Sequence, residues 1–246
     1  MTVTPAPDSP PGTQGGGTGP SQLTGSATGI WCILVAAGRG TRFGGAKQYE
    51  TIAGRRVVDH ALEACTGAAD GVVVVVSPGD RELVRAQVVV EGGRTRTESV
   101  RAGLRAVPTD ARWVLVHDAA RPAAGAELFS RVIGALRDGA PAVVPGVELA
   151  DTVKRVRPHP GGVDGRWLVE ETLDRDRLMA VQTPQGFDAG LLRRVHRGGG
   201  TGTDDAALVE EAGLPVVVVR GDRRNFKITT REDLEAMRAS WGPSGG

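Results

Sequence analysis

Short runs of consecutive apolar residues constrain the fold of this chain more than any other feature. Val72–Val76 is five valines in succession, and Ile30–Val35 and Trp113–Val116 are similarly apolar. A strand with one face in water alternates apolar and polar residues, whereas a continuous run is typical of a strand buried on both faces. We therefore expect a mostly parallel sheet. Its other strands are expected at Gln87–Val90, Ala142–Val144 and Val216–Val219.

Segments with a helical spacing of apolar residues separate these runs. In Arg56–Thr66 the apolar residues recur every three or four positions, as on one face of a helix. Further helices are expected at Glu98–Val107, Glu127–Arg137, Asp204–Ala212 and Arg231–Arg238. Thr230 and Asp233 resemble a capping box at the start of the last of these. The alternation predicts a Rossmann-like α/β domain with helices on both faces of the sheet.

Three segments depart from this alternation. Residues 1–29 are mostly Gly, Pro, Ser and Thr, with Asp8 as the only charge, and bury too little apolar area to offset the entropy of ordering them. We expect 1–29 to be a disordered tail and 242–246 a frayed end, on either side of a domain at 30–241. Residues 148–177 contain two extended segments joined by a Pro/Gly-rich turn, which predicts a β-hairpin arm.

Composition excludes several classes of partner and location. The 30 basic and 29 acidic residues give a net charge of +1 without a basic block, which argues against nucleic acid or an anionic membrane surface as a partner. No apolar run reaches the length of about 18 residues that a membrane span requires. Cys32 and Cys65 lie in apolar segments and lack the spacing of a metal or redox motif, so we expect reduced core residues in a cytoplasmic protein.

The loop after the first strand carries the first candidate binding residues. Ligands of open parallel sheets bind beyond the carboxyl ends of the strands, where this loop begins with Ala36, Ala37 and Gly38. Its glycines allow the backbone to approach a phosphate, although the loop matches neither the dinucleotide fingerprint nor a P-loop. Arg42 and Lys47 add two cations, as a reacting phosphate requires. The alternative is that both are solvated surface charges.

Asp118 follows a predicted buried strand and is the candidate metal ligand. Mg²⁺ prefers one or two carboxylates together with substrate phosphates, and the end of a strand is a suitable place for such a ligand. The alternative is that Asp118 caps the following turn. Its neighbour His117 is expected to be structural, with its ring hydrogen-bonded locally.

Nine motifs, in order along residues 30–240, together resemble one known family. They are LVAAGRGTRF (34–43), KQY (47–49), EGGRTRTESV (91–100), VLVHDAARP (114–122), DTVK (151–154), TLDR (172–175), TPQGF (183–187), TDDA (203–206) and NFKIT (225–229). The chain resembles the 2-C-methyl-D-erythritol 4-phosphate cytidylyltransferases, enzymes of the non-mevalonate isoprenoid pathway. Any single motif is weak, whereas nine in this order are highly specific.

The resemblance implies a fold and a reaction. The fold is a nucleotidyltransferase type A sheet with an extended hairpin arm. The reaction transfers a cytidylyl group from CTP to 2-C-methyl-D-erythritol 4-phosphate, with Mg²⁺ as cofactor, and releases pyrophosphate. An acceptor phosphate oxygen attacks the α-phosphorus of CTP in line, so no protein nucleophile is needed. Catalysis then consists of positioning and of charge stabilisation.

The resemblance also assigns roles to individual positions. Arg42 and Lys47 match residues that stabilise the transition state, while Arg175 and Lys227 match residues that orient the acceptor phosphate. Asp118 matches a residue that meets the metal and the nucleotide. The other substrate-binding matches are Ala36, Ala37 and Gly38 in the first loop, Gly93, Arg96 and Ser99 near the base and ribose, and Thr203 at the acceptor.

The family arm reaches a second subunit, which implies a homodimer in which Arg175 acts in the neighbouring site. The lysines are informative here, because Lys47, Lys154 and Lys227 are the only three among 30 basic residues and all lie in the motifs. Since ammonium and guanidinium groups are not interchangeable around a phosphate, this favours function at Lys47 and Lys227. Lys154 fits a role in bracing the arm equally well.

The sequence departs from the family pattern in several places. The span from Arg42 to Lys47 is shorter than usual with Ala46 in place of proline, Arg94 stands where an acidic residue is common, and additional residues precede Asp151. These changes leave the reaction class standing and the acceptor open. One alternative is a cytidylyltransferase for another polyol phosphate, such as ribitol 5-phosphate; another is a non-catalytic nucleotide-binding homologue. From the length, we expect no fused cyclase domain.

Overall fold

The computed structural model describes residues 1–2, 29–160, 165–200 and 202–241. The predicted tail at 1–29, apart from residues 1, 2 and 29, and the predicted frayed end at 242–246 lie outside the described residues. The strands are β1 (Ile30–Val35), β2 (Thr51–Ile52), β3 (Arg55–Arg56), β4 (Gly71–Val76), β5 (Val88–Glu91), β6 (Trp113–Asp118), β7 (Ala142–Glu148), β8 (Lys154–Pro158), β9 (Trp167–Thr172), β10 (Met179–Val181), β11 (Gln185–Asp188) and β12 (Val217–Arg220). The helices are α1 (Val57–Ala68), α2 (Arg96–Ala106), α3 (Ala126–Arg137), α4 (Ala189–Arg197), α5 (Asp205–Glu211) and α6 (Arg231–Ser240).

The main sheet has eight strands and is mostly parallel, as predicted. β1 lies between β4 and β6 and is parallel to both, and β5 continues the parallel order beyond β4. β12 pairs in parallel with β7. All six residues of β4 are buried, which is the burial expected of a strand covered on both faces.

Helices cover both faces of this sheet, and the valine run explains how. Val72, Val74 and Val76 pack in one core with residues of α1 and α3. Val73 and Val75 pack in a second core with residues of α2, α4 and α5. Because successive side chains of a strand point to opposite faces, an uninterrupted run supplies both cores at once. The predicted α/β architecture is confirmed.

A third, smaller core joins the first loop to the C-terminal part of the chain. Phe43 and Ile228 are both buried in it, together with residues of α1 and α6. The predicted capping box of Thr230 and Asp233 is present at the start of α6. This core fixes the loop that carries Arg42 next to the segment that carries Lys227.

Strand β11 and helix α4 are not in the sequence-based prediction. β11 is inserted between β6 and β7 and is antiparallel to both. Gly186 allows this fit, because a Cβ atom there would lie 2.6 Å from Val132 Cγ1. Asp188 then caps α4 by accepting a hydrogen bond from the Leu191 amide at 2.8 Å. A four-residue segment that contains glycine shows no strand pattern in the sequence. It is a strand here because pairing with β6 and β7 imposes an extended conformation on it.

The segment predicted as an arm is a separate antiparallel hairpin formed by β8 and β9. Trp167 and Val169 are each 60% exposed on it, and Val156 is 42% exposed. In the part of the chain that the structure describes, no helix is long and apolar enough to cross a membrane.

Candidate active site

A cavity of about 400 Å³ opens where the chain leaves the carboxyl ends of β1 and β6. It brings together ten of the predicted site residues: Ala36, Ala37, Gly38, Arg42, Lys47, Gly93, Arg96, Ser99, Asp118 and Lys227. These residues come from distant parts of the sequence. The structure thus brings these ten residues to one cavity, and their roles as site residues stay predictions.

The first loop owes its path to a tight turn at Gly40. Gly40 has a φ of +61°, and a Cβ atom there would lie 2.0 Å from the Gly45 carbonyl oxygen. The Gly40 carbonyl in turn accepts hydrogen bonds from the Phe43 and Gly44 amides, both at 2.9 Å. Only glycine is compatible with this turn. It folds the loop back so that Arg42 and Lys47 both line the cavity.

Lys47 is not a solvated surface charge. Burial lowers the pKa of its ammonium group, and the positive charges of Lys227 and Arg42 lower it further. Arg42 itself is exposed at the cavity wall. Three cations thus lie close enough to influence one another, which is an arrangement that a polyanion stabilises.

Asp118 lies at the centre of the charged groups. Its Oδ2 lies 2.6 Å from Lys227 Nζ, and its Oδ1 lies 3.3 Å from Arg96 Nε. Burial by itself would raise the pKa of this carboxyl, but Arg96 and Lys227 outweigh burial and hold the pKa well below its usual range. Both carboxylate oxygens of Asp118 contact cations of the cavity lining. The side chain therefore does not cap the following turn.

The second wall of the cavity comes from the loop before α2. Gly93 N–H donates to Ser99 Oγ at 3.2 Å, and that hydroxyl donates to the Thr95 carbonyl at 2.9 Å. Thr95 and Glu98 form a capping box at the start of the helix. A Cβ atom at Gly93 would lie 2.3 Å from Glu98 Cβ, so the backbone is close-packed here. The loop presents a fixed backbone edge to a ligand.

Arg96 links the cavity to a buried pair that the sequence analysis did not single out. Its Nη1 lies 2.7 Å from Asp205 Oδ2, and Asp205 Oδ1 lies 2.9 Å from His196 Nε2. The Asp205 and His196 side chains are 1% and 3% exposed. The only hint of this pair in the sequence is the two adjacent aspartates of the TDDA motif. Their spacing predicts a helix start there and does not predict the contact with Arg96.

Arg175 and Thr203 lie outside the cavity lining. Arg175 begins a short 3₁₀ turn at the base of the arm, is exposed, and donates to the Ala150 carbonyl. Thr203 is exposed just before α5. A single chain does not bring these two residues to the other ten, and their assigned roles at the acceptor stay predictions.

His117 is structural, as expected. His117 Nε2 lies 3.2 Å from the Arg121 carbonyl oxygen, which can only accept, so Nε2 carries the proton of the neutral ring. Nδ1 therefore accepts from the Thr183 hydroxyl at 2.9 Å, and Thr183 Oγ1 in turn accepts from the Asp118 amide at 3.0 Å. Complete burial lowers the pKa of His117 to about 4, which keeps the ring neutral.

The stability of the protein should fall as the pH drops from about 6.5 to about 4, because the unfolded chain takes up a proton at His117 that the folded chain excludes. The contribution of the neutral His117 ring to stability is fully present above the pKa of the unfolded chain and is lost as the pH falls toward the pKa of the folded chain. The shift corresponds to about 3 kcal/mol across that window. Urea unfolding at several pH values measures it. In His117→Gln the unfolding free energy should change less over the same range, and equal slopes in both proteins would contradict the assignment.

The cavity offers a magnesium ion few protein ligands. Among the described residues, no group of three or more His, Cys, Asp or Glu side chains is arranged to hold a metal ion. Asp118 is the only carboxylate in the cavity lining described. Mg²⁺ prefers one or two carboxylates and takes its other ligands from substrate phosphates and water. The single Asp118 carboxylate therefore fits Mg²⁺ that is bound together with a triphosphate.

Comparison with known proteins agrees with the geometry. The model of the family described as IspD, 2-C-methyl-D-erythritol 4-phosphate cytidylyltransferase, matches residues 30–240. A protein of that name from Streptomyces coelicolor is 47% identical over 222 residues, which covers 82% of this chain and 81% of the relative. The bifunctional enzyme IspD/IspF of Solidesulfovibrio magneticus is 43% identical over 87% of this chain and 58% of its own length.

Solved structures give the same result. The 4-diphosphocytidyl-2C-methyl-D-erythritol synthase of Anaerococcus prevotii superposes with a TM-score of 0.74 at 30% identity, covering 88% of this chain and all of that one. The 2-C-methyl-D-erythritol 4-phosphate cytidylyltransferase of Thermus thermophilus gives 0.70 at 33% identity, with 85% and 96% covered. With the fold, the cavity and nearly the whole described chain accounted for, the protein belongs to the 2-C-methyl-D-erythritol 4-phosphate cytidylyltransferase family.

Proposed function

We propose that this protein transfers the cytidylyl group of CTP to 2-C-methyl-D-erythritol 4-phosphate, producing 4-diphosphocytidyl-2-C-methyl-D-erythritol and pyrophosphate. The observation that carries the proposal is the convergence of Arg42, Lys47, Lys227 and Asp118 on one cavity at the carboxyl end of the sheet. Family membership supplies the identity of the two substrates.

The reaction is a direct displacement at phosphorus. An oxygen of the acceptor phosphate forms a bond to the α-phosphorus of CTP, while the bond from that phosphorus to the bridging oxygen breaks and pyrophosphate leaves. The acceptor phosphate is already anionic, so it needs neither a general base nor a protein nucleophile. The protein contributes position and positive charge, which are the effects that accelerate phosphoryl-type transfers.

The cations divide between the two substrates. Lys47 and Arg42 would neutralise the charge that develops around the α-phosphorus, and the lowered pKa of Lys47, which burial and the nearby cations cause, supports this role. Lys227, which lines the same cavity, would hold the acceptor phosphate. Its salt bridge to Asp118, at 2.6 Å, fixes the ammonium group before the substrate arrives.

Asp118 is the residue that would hold Mg²⁺, together with oxygens of the triphosphate. The ion would supply additional positive charge on the phosphates and so favour the departure of pyrophosphate. The Arg96 and Lys227 contacts favour the ionised form of the Asp118 carboxylate, because they lower its pKa against the effect of burial.

We assign the nucleoside of CTP to the two walls of the cavity that consist mainly of main-chain atoms. Ala36, Ala37 and Gly38 form one side and Gly93 with Ser99 the other. The close packing at Gly93 holds a peptide edge there, and such an edge reads the donors and acceptors of a base without a charged side chain.

A homodimer through the arm is part of the proposal. The arm exposes Trp167, Val169 and Val156, apolar side chains that a second subunit would cover. Arg175 at the base of the arm would then serve the neighbouring cavity. Cys32 and Cys65 are both buried free thiols, in keeping with the proposed cytoplasmic location.

The alternatives are a cytidylyltransferase for ribitol 5-phosphate and a non-catalytic homologue. Against the first, the family model and the named relatives concern methylerythritol phosphate. Against the second, the shortened loop still delivers Arg42 and Lys47 to the cavity.

Pyrophosphate release from CTP and Mg²⁺ by the purified protein tests the proposal. We expect turnover with 2-C-methyl-D-erythritol 4-phosphate and little with ribitol 5-phosphate. Turnover with ribitol phosphate alone would change the acceptor, and nucleotide binding without turnover on either would favour a non-catalytic protein.

A further inference from the structure

A line of charged side chains runs from the cavity into the protein interior. It begins at Lys227 and Asp118, continues through Arg96, and ends at Asp205 and His196. Arg96 and Asp118 line the cavity, whereas Asp205 lies behind them and is 1% exposed. The Arg96 guanidinium therefore spans two carboxylates, one that faces the substrates and one that does not.

The two adjacent aspartates at the start of α5 have different partners. Asp204 caps the helix, because its Oδ1 accepts from the Ala207 amide at 3.0 Å, and its Oδ2 accepts from Gln185 Nε2 at 2.8 Å. Asp205 instead directs both oxygens to side chains, Arg96 at 2.7 Å and His196 at 2.9 Å. Helix capping thus accounts for Asp204, whereas the two contacts of Asp205 join the start of α5 to Arg96 of α2 and to His196 of α4.

We propose that Asp205 is a positioning residue for the transferase reaction: it holds Arg96 so that the guanidinium takes only Oδ1 of Asp118 and leaves Oδ2 to orient Lys227. The inference rests on the proposed function. His196 completes the arrangement by donating from Nε2 to the second oxygen of Asp205, which restricts rotation of that carboxylate.

The geometry explains why Asp205, which lies behind the cavity, affects how Arg96 contacts Asp118. A guanidinium fork binds a carboxylate best through two parallel hydrogen bonds. With its Nη1 held by Asp205, Arg96 approaches Asp118 through Nε alone, at 3.3 Å. Once released, Arg96 would be free to engage both Asp118 oxygens and compete with the 2.6 Å contact from Lys227. Asp205 would thereby act on the acceptor site without touching a substrate.

The test compares Asp205→Asn with Asp204→Asn, the same change one position earlier on the same helix. We expect Asp205→Asn to lower kcat/KM for the acceptor by at least about tenfold, the loss typical of removing a group that orients a ligand. The KM for CTP should rise less than the KM for the acceptor, because Lys227, which loses its orienting oxygen, is assigned to the acceptor phosphate. Asp204→Asn should retain wild-type kinetics, because the asparagine oxygen still caps the helix and the Gln185 amide, whose Oε1 has no hydrogen-bond partner, can turn over to accept from the asparagine Nδ2. Similar acceptor kinetics in the two variants would overturn the proposal.

Two further variants show whether Asp205 acts through Arg96. In an Arg96→Gln background, adding Asp205→Asn should cost little more, because the effects of residues that act in series are not additive. Full additivity would overturn the proposal. If Asp205→Asn fails to fold, Arg96→Lys tests the same proposal. A lysine cannot bridge both carboxylates, so we expect the same acceptor defect. Wild-type acceptor kinetics in Arg96→Lys would refute the proposal. Absence of turnover in the wild-type protein would instead refute the proposed function.

Discussion

Replacing Lys47 by alanine is expected to lower kcat by at least about a hundredfold, the scale for losing one group that stabilises transition-state charge. Lys47 lies in the cavity wall with Arg42 and Lys227 close enough to lower the pKa of its ammonium group, after the larger effect of burial. A group held in such a position is stabilised most when the charge around the α-phosphorus is greatest. The loss should therefore fall on kcat rather than on folding. Pre-steady-state pyrophosphate release measures it.

The matched control is Arg55→Ala, which also removes one cation but from outside the cavity. Arg55 pairs with Glu63 on the surface, with side chains 47% and 68% exposed, and exposed pairs contribute little. This variant should keep wild-type kcat. A Lys47→Ala enzyme with near-normal turnover and an intact circular dichroism spectrum would remove Lys47 from the mechanism.

Replacing Arg175 by alanine is expected chiefly to raise the KM for the acceptor and to leave CTP affinity nearly unchanged. Arg175 is exposed at the base of the arm and does not line the cavity of its own chain. If the arm delivers it to a second subunit, its guanidinium would bind the acceptor phosphate there. Steady-state kinetics with each substrate varied separately, together with CTP titration calorimetry, would separate the two affinities.

Arg177→Ala is the control, because Arg177 ends the same short turn and is also exposed. Mixing the Arg175→Ala and Lys47→Ala proteins adds a test of the dimer. A hybrid dimer would contain one cavity with Lys47 and the partner's Arg175 both intact, so subunit exchange should restore part of the activity. A fall in CTP affinity in Arg175→Ala, or no restoration on mixing, would contradict the placement of the arm.

The fold follows from the sequence wherever a segment carries its own signal. The valine run of β4 predicts a strand buried on both faces, and the structure gives alternate valines to the two cores. The hairpin of β8 and β9 likewise has two extended segments and a turn between them. β11 carries no such signal, because its antiparallel place between β6 and β7 depends on the close approach that Gly186 permits.

The same distinction applies to the site. Arg42, Lys47 and Lys227 stand in loops with motifs, so the sequence identifies them individually. Their convergence required the buried cluster to which Phe43 and Ile228 both belong, and no local pattern predicts that cluster. Asp205 was hidden for a related reason: its neighbour Asp204 satisfies the helix cap, and only the fold shows that Asp205 turns toward Arg96.

A crystal structure of the protein bound to CTP would show whether the cations of this cavity surround the reacting phosphate. We expect the triphosphate in the cavity of about 400 Å³, with α-phosphate oxygens within hydrogen-bond distance of Lys47 Nζ and the base against Gly93 and Ser99. The face of the α-phosphate opposite the pyrophosphate should open toward Lys227. A triphosphate bound elsewhere, or one whose α-phosphate lies remote from Lys47 and Lys227, would contradict it.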